Sequence, residues 1–274
     1  MKRGSAPILA PVTSRSGPTL TDGAARPPKG TPKGDDLDGE TDVLLERLGE
    51  LQEVFYADAR RSLLVVLQGR DAAGKDGTIR RVFEPCNPQG CQVTSFGVPS
   101  TLEMRHDYLW RIHQAVPARG MIGIFNRSHY EDVLVVRVRD LVPRSVWSKR
   151  YDHINAFERM LAESGVTILK FFLHVSRDEQ KERLRERLDD PEKNWKFRAG
   201  DLDDRALWDD YSRAYREAIT RCSTPWAPWY VVPADKKRAR DYLVAQVIVA
   251  ALEGLKPRYP KADEDVLAAA DKIV

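Results

Sequence analysis

The stretch Leu64–Ile79, LVVLQGRDAAGKDGTI, decides how the rest of the chain is read. A run of aliphatic residues stops at Gly69. A tight turn follows, bounded by Gly69 and Gly74, and Lys75 opens a polar stretch compatible with a helix. The spacing G-x-x-x-x-G-K is the core of a phosphate loop, and its context of strand, turn and helix is what that function needs. Backbone N–H groups of Gly69, Ala72, Ala73, Gly74 and Gly77 at the start of a helix form an anion cradle, the helix dipole adds favourable potential, and Lys75 adds a point charge. Two aspartates complicate this. Asp76 stands where a phosphate loop normally carries a serine or threonine for a metal, and Asp71 sits inside the turn. A bare carboxylate beside a phosphate chain is repelled, and a divalent cation between them reverses the sign. Asp76 therefore reads either as a metal ligand, direct or through water, or as a first-turn acid favoured by the dipole. Asp71 reads either as the group that orients an acceptor phosphate and its metal, or as a turn residue.

Outward from this loop the pattern is regular. LLVVLQ at 63–68, QVTSF at 92–96, MIGIF at 121–125, TILKFFLHV at 167–175 and WYVVP at 229–233 read as buried strands. Helical spacing predicts helices over about 42–57, 76–84, 101–115, 145–164, 177–189, 203–221 and 236–254. Continuous apolar strands alternating with helices predict a five-stranded parallel sheet flanked by helices, an α/β fold. The first forty residues, rich in Pro, Gly, Ser and Thr, read as a flexible tail. A phosphotransferase domain is expected over 41–257, and 258–274 as a C-terminal tail.

Composition narrows the class. The chain has 274 residues, 42% of them hydrophobic and 31% charged, enough for one packed domain. Its 44 basic and 41 acidic residues leave a net charge of +3, which argues against a nucleic-acid coat and leaves polyanion binding to local clusters. The three cysteines, Cys86, Cys91 and Cys222, have no metal-ligand spacing and read as reduced thiols. No apolar run reaches the ~18–20 residues of a membrane span, and the N-terminal apolar stretch is too short for a secretory signal. A cytoplasmic protein without nucleic-acid or membrane partners is expected.

Two further segments carry charge. FNRSHYEDV at 125–133 follows the third strand, so Asn126 and Arg127 lie at the carboxyl edge of the sheet, where open α/β folds bind ligands. Arg127 is placed to grip a transferring phosphoryl group; Glu131 and Asp132 read as metal ligands or as ion-pair partners of Arg137 or Arg139. His129 reads as a packing or hydrogen-bonding residue rather than a base. DPEKNWKFRAGDLDDR at 190–205 interleaves Lys193, Lys196 and Arg198 with Trp195 and Phe197, a composition suited to a mobile helical lid over phosphates. Arg80 and Arg81 extend positive surface one turn beyond Lys75.

GRDAAGKDG, CNPQGCQVTSFGVPS, HDYLWRIHQAVPARG, FNRSHYEDVLVVRV, DPEKNWKF and STPWAPWYVVPAD, in that order over about 42–257, resemble the polyphosphate kinase 2 family, and FNRSHYED with the Lys75-Asp76 pair resembles its class III branch. The resemblance implies a thymidylate-kinase-like P-loop kinase core. It implies reversible transfer of the terminal phosphate of inorganic polyphosphate to nucleoside mono- and diphosphates (ADP, GDP and AMP), with Mg²⁺ or, in its place, Mn²⁺, by a homo-oligomer of the homotetramer kind. It implies Asp71, Lys75 and Arg127 as catalytic residues. Lys193, Lys196 and Arg198 would clasp acceptor phosphates, while Arg80 and Arg81 with Lys75 would line the polyphosphate path. Asn126 stands where other classes carry an aspartate, which moves the second metal-ligand role, beside Asp71, to Glu131. A kinase that takes ATP and a small metabolite shares the loop, the arginine and the lid, and differs in needing no polyphosphate. A nucleotide-binding switch would bind without making product, and a storage protein would not need Asp71. Raising ionic strength is expected to weaken binding of long-chain polyphosphate more steeply than binding of a mononucleotide, because more counterions are released. Equal slopes in a salt titration would contradict an extended cationic path.

Overall fold

The computed structural model describes residues 7–13, 17–198 and 200–262. Five parallel strands form its centre in the order β2-β3-β1-β4-β5: β1 (Ser62–Gly69), β2 (Cys91–Ser95), β3 (Ile122–Asn126), β4 (Val166–His174) and β5 (Trp229–Pro233). Each matches a strand read from the sequence to within about one residue. β1 is buried along its whole length because both its faces are covered. Leu63, Val65 and Leu67 point to one side and Leu64 and Val66 to the other. Burying such a side chain is worth roughly 1.5–3 kcal/mol.

The first face is covered by α1 (Gly34–Asp58), α2 (Lys75–Val82) and, late in the chain, α10 (Lys237–Leu255). α1 begins about eight residues earlier than expected. Leu37 and Thr41 continue the buried stripe of Leu45, Leu48, Leu51 and Phe55, and Asp35 and Asp36 suit the first turn. The opposite face carries α3 (Trp110–Gln114), α4 (Val135–Val138), α5 (Arg144–Trp147) and α6 (Arg150–Glu163), which bury Ile112, Trp147, Ile154, Phe157 and Leu161. α7 (Arg177–Asp189), α8 (Gly200–Ala206) and α9 (Trp208–Cys222) complete the set.

The expected helix over 101–115 is broken. A single 3₁₀ turn spans Glu103–Arg105, and α3 starts only at Trp110, because the Asp107 carboxylate accepts from Leu109 N–H (2.9 Å) and holds a turn there. The expected helix over 145–164 divides into α5 and α6, and that over 203–221 divides at Leu207 into α8 and α9.

The stretch read as a flexible tail lies against the body over its described residues. Val12 N–H donates to Trp229 O (2.8 Å), Ser223 Oγ to Val12 O (2.5 Å), Asp235 N–H to Ala25 O (3.1 Å) and Arg177 N–H to Asp22 Oδ1 (3.1 Å). His174 Nε2 meets Thr21 O at 2.8 Å, and Ala25 is fully buried. Backbone groups make most of these contacts, and composition does not report on them. Of the expected C-terminal tail, residues 263–274 lie outside the described residues.

One buried polar cluster fixes how the second face packs. Lys170, on β4, is fully buried and donates to Glu158 Oε2 (2.5 Å), Tyr130 Oη (2.7 Å) and Cys222 O (2.7 Å), so all three of its protons are placed. Glu158 Oε1 accepts from Tyr130 Oη (3.0 Å) and faces His129 Nε2 (3.1 Å). Burial alone would raise the Glu158 carboxyl, but Lys170 and His129 overcome it and hold it below the usual range. His129 is thus a buried hydrogen-bonding residue, as its sequence context suggested. Lys170→Met is expected to lower unfolding free energy by ~3–5 kcal/mol in denaturant titrations, because it leaves the Glu158 charge buried alone. Lys170→Met with Glu158→Gln should recover part of that loss.

Candidate active site

Register brings the site together. Leu67 on β1 pairs with Asn126 on β3, and Asn126 in turn with Ser95 on β2, so the loop after β1 and the turn after β3 leave the sheet side by side at its carboxyl edge. The loop runs from Gly69 to Gly74, where α2 starts. Gly74 has φ +102°, and a Cβ there would collide with the Arg240 guanidinium; only glycine fits.

Two arginines from distant elements hold the loop from behind. Arg183 of α7 donates from Nη1 to Ala72 O (3.0 Å) and Ala73 O (3.1 Å), and from Nη2 to Ala234 O (2.6 Å). Arg240 of α10 reaches Ala73 O (3.4 Å) and is held by Asp241, which also accepts from Thr78 Oγ1 (3.1 Å). These bonds turn the Ala72 and Ala73 carbonyls away from the mouth of the loop, but the Ala73 N–H, expected in the anion cradle, is taken by Arg70 O (3.1 Å) and is not free for a phosphate in this arrangement. A third arginine, Arg70, leaves the loop altogether. Its guanidinium stacks 3.8 Å from the Trp208 ring and donates to Trp208 O (3.0 Å) and Ser212 Oγ (2.6 Å) on α9. Burial pulls its pKa down to about 10. No sequence pattern pointed to Arg183 or Arg240.

On the open side, Lys75 Nζ donates to Gly69 O (2.8 Å) and Arg70 O (3.2 Å). Burial and, after it, the nearby Arg127 pull its pKa down to about 8, against the opposing Asp71 and Glu131 carboxylates. Arg127 adopts φ +63°, a left-handed conformation that costs a non-glycine residue roughly 1–2 kcal/mol and marks a constrained position. Its Nη2 donates to Asp71 Oδ1 (2.6 Å), and its Nη1 lies 3.7 Å from Glu131 Oε2. Burial would raise the Asp71 carboxyl, but Lys75 and Arg127 outweigh it and hold Asp71 below the usual aspartate range. For Glu131 the balance is reversed: burial raises it despite Arg127 and Lys75. Asn126 Nδ2 donates to Asp76 Oδ1 (2.8 Å), so Asp76, in the first turn of α2, also lies at this edge.

Asp71, Lys75, Asp76, Asn126, Arg127 and Glu131 therefore converge as expected from the sequence. Asp132 does not pair with Arg137 or Arg139. It takes Arg150 (2.8 Å), while Arg137 takes Glu217 and Arg139 takes Asp204. Arg81 is engaged away from the loop by Asp42 (2.6 Å) and Glu84 (3.0 Å), whereas Arg80 is exposed. Lys193 pairs with Asp190 (2.5 Å), Lys196 lies over the Trp195 ring (5.0 Å), and Arg198 is exposed; none of the three side chains bonds to the loop among the described residues. The segment that does approach is α8. Its Asp201 lies 3.5 Å from Arg187 and feels the Asp71 charge, and Arg187 helps to lower Asp71. Arg187 was not singled out from the sequence. Its only sequence signal is a place in the arginine-rich run 183–187, which reads equally well as a solvated helix face.

A divalent cation fits the oxygen donors. Among the described residues no cluster of three acidic, His or Cys side chains forms a closed metal cage. Mg²⁺ needs none, since it uses one or two carboxylates and completes its shell with phosphate oxygens and water. Glu131 Oε1, Gln68 Oε1 and Asn126 Oδ1 are buried acceptors without protein partners among the described residues, and Asp71 and Glu131 flank the same guanidinium. Such orphaned oxygens normally find a partner.

A family model described as polyphosphate kinase 2 matches residues 33–260. An AMP/ADP-polyphosphate phosphotransferase of Meiothermus ruber is 60% identical over 232 residues, 85% of each chain. An ADP-polyphosphate phosphotransferase of Rhodopseudomonas palustris is 49% identical over 229 residues, 79% of each. The crystal structure of polyphosphate kinase 2 from Arthrobacter aurescens TC1 superposes with a TM-score of 0.87 at 43% identity, over 98% of this chain and 99% of that one. With a phosphate loop on a five-stranded parallel sheet, the fold is that of a P-loop kinase, and the chain belongs to the polyphosphate kinase 2 family.

Proposed function

We propose that this protein transfers the terminal phosphoryl group of inorganic polyphosphate to ADP, GDP and AMP, reversibly. The observation that carries the reading is the Arg127 guanidinium fixed between Asp71 and Glu131 beside the phosphate loop. The names of the relatives support the donor and the acceptors: AMP and ADP in the first, ADP in the second, and GDP in a Corynebacterium glutamicum protein 33% identical over 235 residues.

Phosphoryl transfer runs through a loose transition state, so catalysis is mostly positioning and charge neutralisation. Loop N–H groups and Lys75 hold the donor phosphates. Arg127 is anchored by two carboxylates and presents its remaining protons to the transferred group. Asp71 keeps its charge and orients the acceptor phosphate. Asp71 and Glu131, with Asp76 at the rim, would hold Mg²⁺, for which Mn²⁺ can substitute. When bound, the ion neutralises phosphate charge and brings donor and acceptor into line. The lid over about 190–205 carries Lys193, Lys196 and Arg198, which would reach the phosphates on closure, and Arg80 extends the polyphosphate path. A homotetramer in the cytoplasm, without nucleic-acid partners, belongs to the same reading; the near-balanced charge supports the last point. No helix among the described residues is long and apolar enough to cross a membrane.

The direct test is a coupled assay with AMP or ADP as acceptor and polyphosphate as the sole donor. Product should form with Mg²⁺ and cease when it is chelated; turnover only with ATP and another acceptor would favour a metabolite kinase. Lys75→Ala and Arg127→Ala should each reduce turnover by ~10³-fold or more while leaving the circular dichroism spectrum and melting temperature near wild type. Near-wild-type rates in either folded variant would remove that residue from the mechanism. Glu131→Gln is expected to raise the Mg²⁺ concentration that gives half-maximal rate by about tenfold or more, the usual scale for losing a carboxylate contact to a cation. An unchanged metal dependence would take Glu131 out of the metal site.

A further inference from the structure

Cys86 and Cys91 stand at the far ends of two elements that lead into the active edge. α2 opens at Lys75 and Asp76, and the chain leaves it through Phe83 to Cys86, whose N–H donates to Phe83 O (3.1 Å). β2 opens at Cys91 and closes at Ser95, whose Oγ lies 3.4 Å from Asn126 Nδ2, the group that donates to Asp76. One 3₁₀ turn, Pro88–Gly90, joins the two cysteines. It is pinned in place. Gly90 N–H donates to Asn87 O (3.0 Å), Cys91 N–H to Pro88 O, and Asn87 N–H to Gln52 Oε1 on α1 (2.9 Å). Gly90 packs so closely on Gln52 that a Cβ there would collide with its amide nitrogen. Both cysteine side chains reach the same apolar cluster on the α1 face, Cys86 buried within it and Cys91 half-buried at its margin.

The two thiols hydrogen-bond to one another. That bond, and burial after it, raises the Cys86 thiol; the same bond lowers the Cys91 thiol against the effect of burial. The pair is therefore unequal. Cys91 is nearer to solvent and easier to ionise, so it is the sulfur that an oxidant meets first, with Cys86 held in reach behind it. Cys222 offers an internal comparison. It is fully buried in a different cluster, its Sγ faces Tyr151 O at 3.9 Å, and burial pushes its thiol up to about 12. A buried thiol of that kind is inert.

We propose that Cys86 and Cys91 are a redox modification site, in which a peroxide oxidises Cys91 and Cys86 resolves it to an intramolecular disulfide. With hydrogen peroxide, the Cys91 thiolate attacks one oxygen, the O–O bond breaks, and a sulfenic acid and water form. The Cys86 sulfur then attacks the Cys91 sulfur, the hydroxyl departs with the Cys86 proton as a second water, and the S–S bond closes. Two thiols are oxidised and one peroxide is reduced. The closed bond staples α2 to β2 behind the phosphate loop. It also stops Cys91 short of sulfinic acid, which a thiol reductant does not reverse. The site is independent of which phosphate donor and acceptor the protein uses.

The test is mass spectrometry of the intact full chain after a small excess of hydrogen peroxide, followed by alkylation in denaturant. Wild type should lose about 2 Da, two hydrogen atoms, and regain them with dithiothreitol. Only Cys222 should then alkylate, where the reduced chain alkylates all three cysteines. Peptide mapping should place the bond between Cys86 and Cys91. Cys86→Ala should instead gain about 32 Da at Cys91, resistant to dithiothreitol, because the resolving sulfur is gone. Cys91→Ala should keep its mass at the same dose. Wild type that stays reduced, proceeds to sulfinic acid, or couples two chains through Cys91 would overturn the proposal, as would a folded Cys86→Ala protein that keeps its mass. Should Cys86→Ala not fold, the wild-type mass and the mapped bond decide alone.

Discussion

The phosphate loop keeps its shape because two buried guanidiniums take its carbonyls. Arg183 binds those of Ala72 and Ala73, and Arg240 reaches the latter and fills the space that a side chain at residue 74 would need. Arg183 contributes two charge-assisted hydrogen bonds and Arg240 a longer contact at 3.4 Å, and both set positive charge behind the loop. Both arginines come from elements laid down more than a hundred residues later, α7 and α10. The local sequence around Lys75 therefore proposes the loop, and the completed sheet with its helices enforces it. The covering of β1 on both faces, the docking of α10 along α1 and the placement of Arg127 over Asp71 all belong to that closure.

The contrast between two ionic clusters shows where the molecule stores structure and where it keeps capacity for a ligand. Around Lys170, every lysine proton and both Glu158 oxygens have partners in the protein, and the cluster is sealed from water. At the carboxyl edge, charges are just as dense but the accounts are left open. Among the described residues, Glu131, Gln68 and Asn126 each have a buried oxygen with no protein donor, and Arg127 sits in a backbone region that few non-glycine residues occupy. Buried nitrogens without partners also occur beside the Lys170 cluster, at His129 Nδ1 and Trp229 Nε1, so it is the grouping of three orphaned oxygens around a strained Arg127 that sets the carboxyl edge apart.

Much of this was legible in the sequence. The five strands stood out because parallel strands covered on both faces are continuous apolar runs, and the loop because its residues are adjacent. Asp71, Lys75 and Arg127 could be placed from strand ends alone. The harder parts were of three kinds. Helices broke where a side chain offered the backbone a local alternative, as Asp107 does ahead of α3. The N-terminal stretch docks through backbone groups such as those of Val12 and Ala25, which composition does not reveal. Arg183, Arg187 and Arg240 look like ordinary helix-surface cations until the tertiary structure turns them inward. The exposed Lys193, Lys196 and Arg198 show the converse, since their composition suggests phosphate contacts that this arrangement of the segment does not make.

Arg70 ties two regions that are separate in sequence. It belongs to the loop, yet its side chain is clamped by the first turn of α9, immediately after the break at Leu207 that separates α8 from α9. Displacing the first turn of α9 would drag the loop backbone or give up a stacked, hydrogen-bonded cation, an interaction worth about a few kcal/mol in a buried setting. The loop backbone at residue 70 and the start of α9 are thus joined through one buried cation, so a substitution at Trp208 or Ser212 acts on the phosphate loop although it lies more than a hundred residues away in sequence.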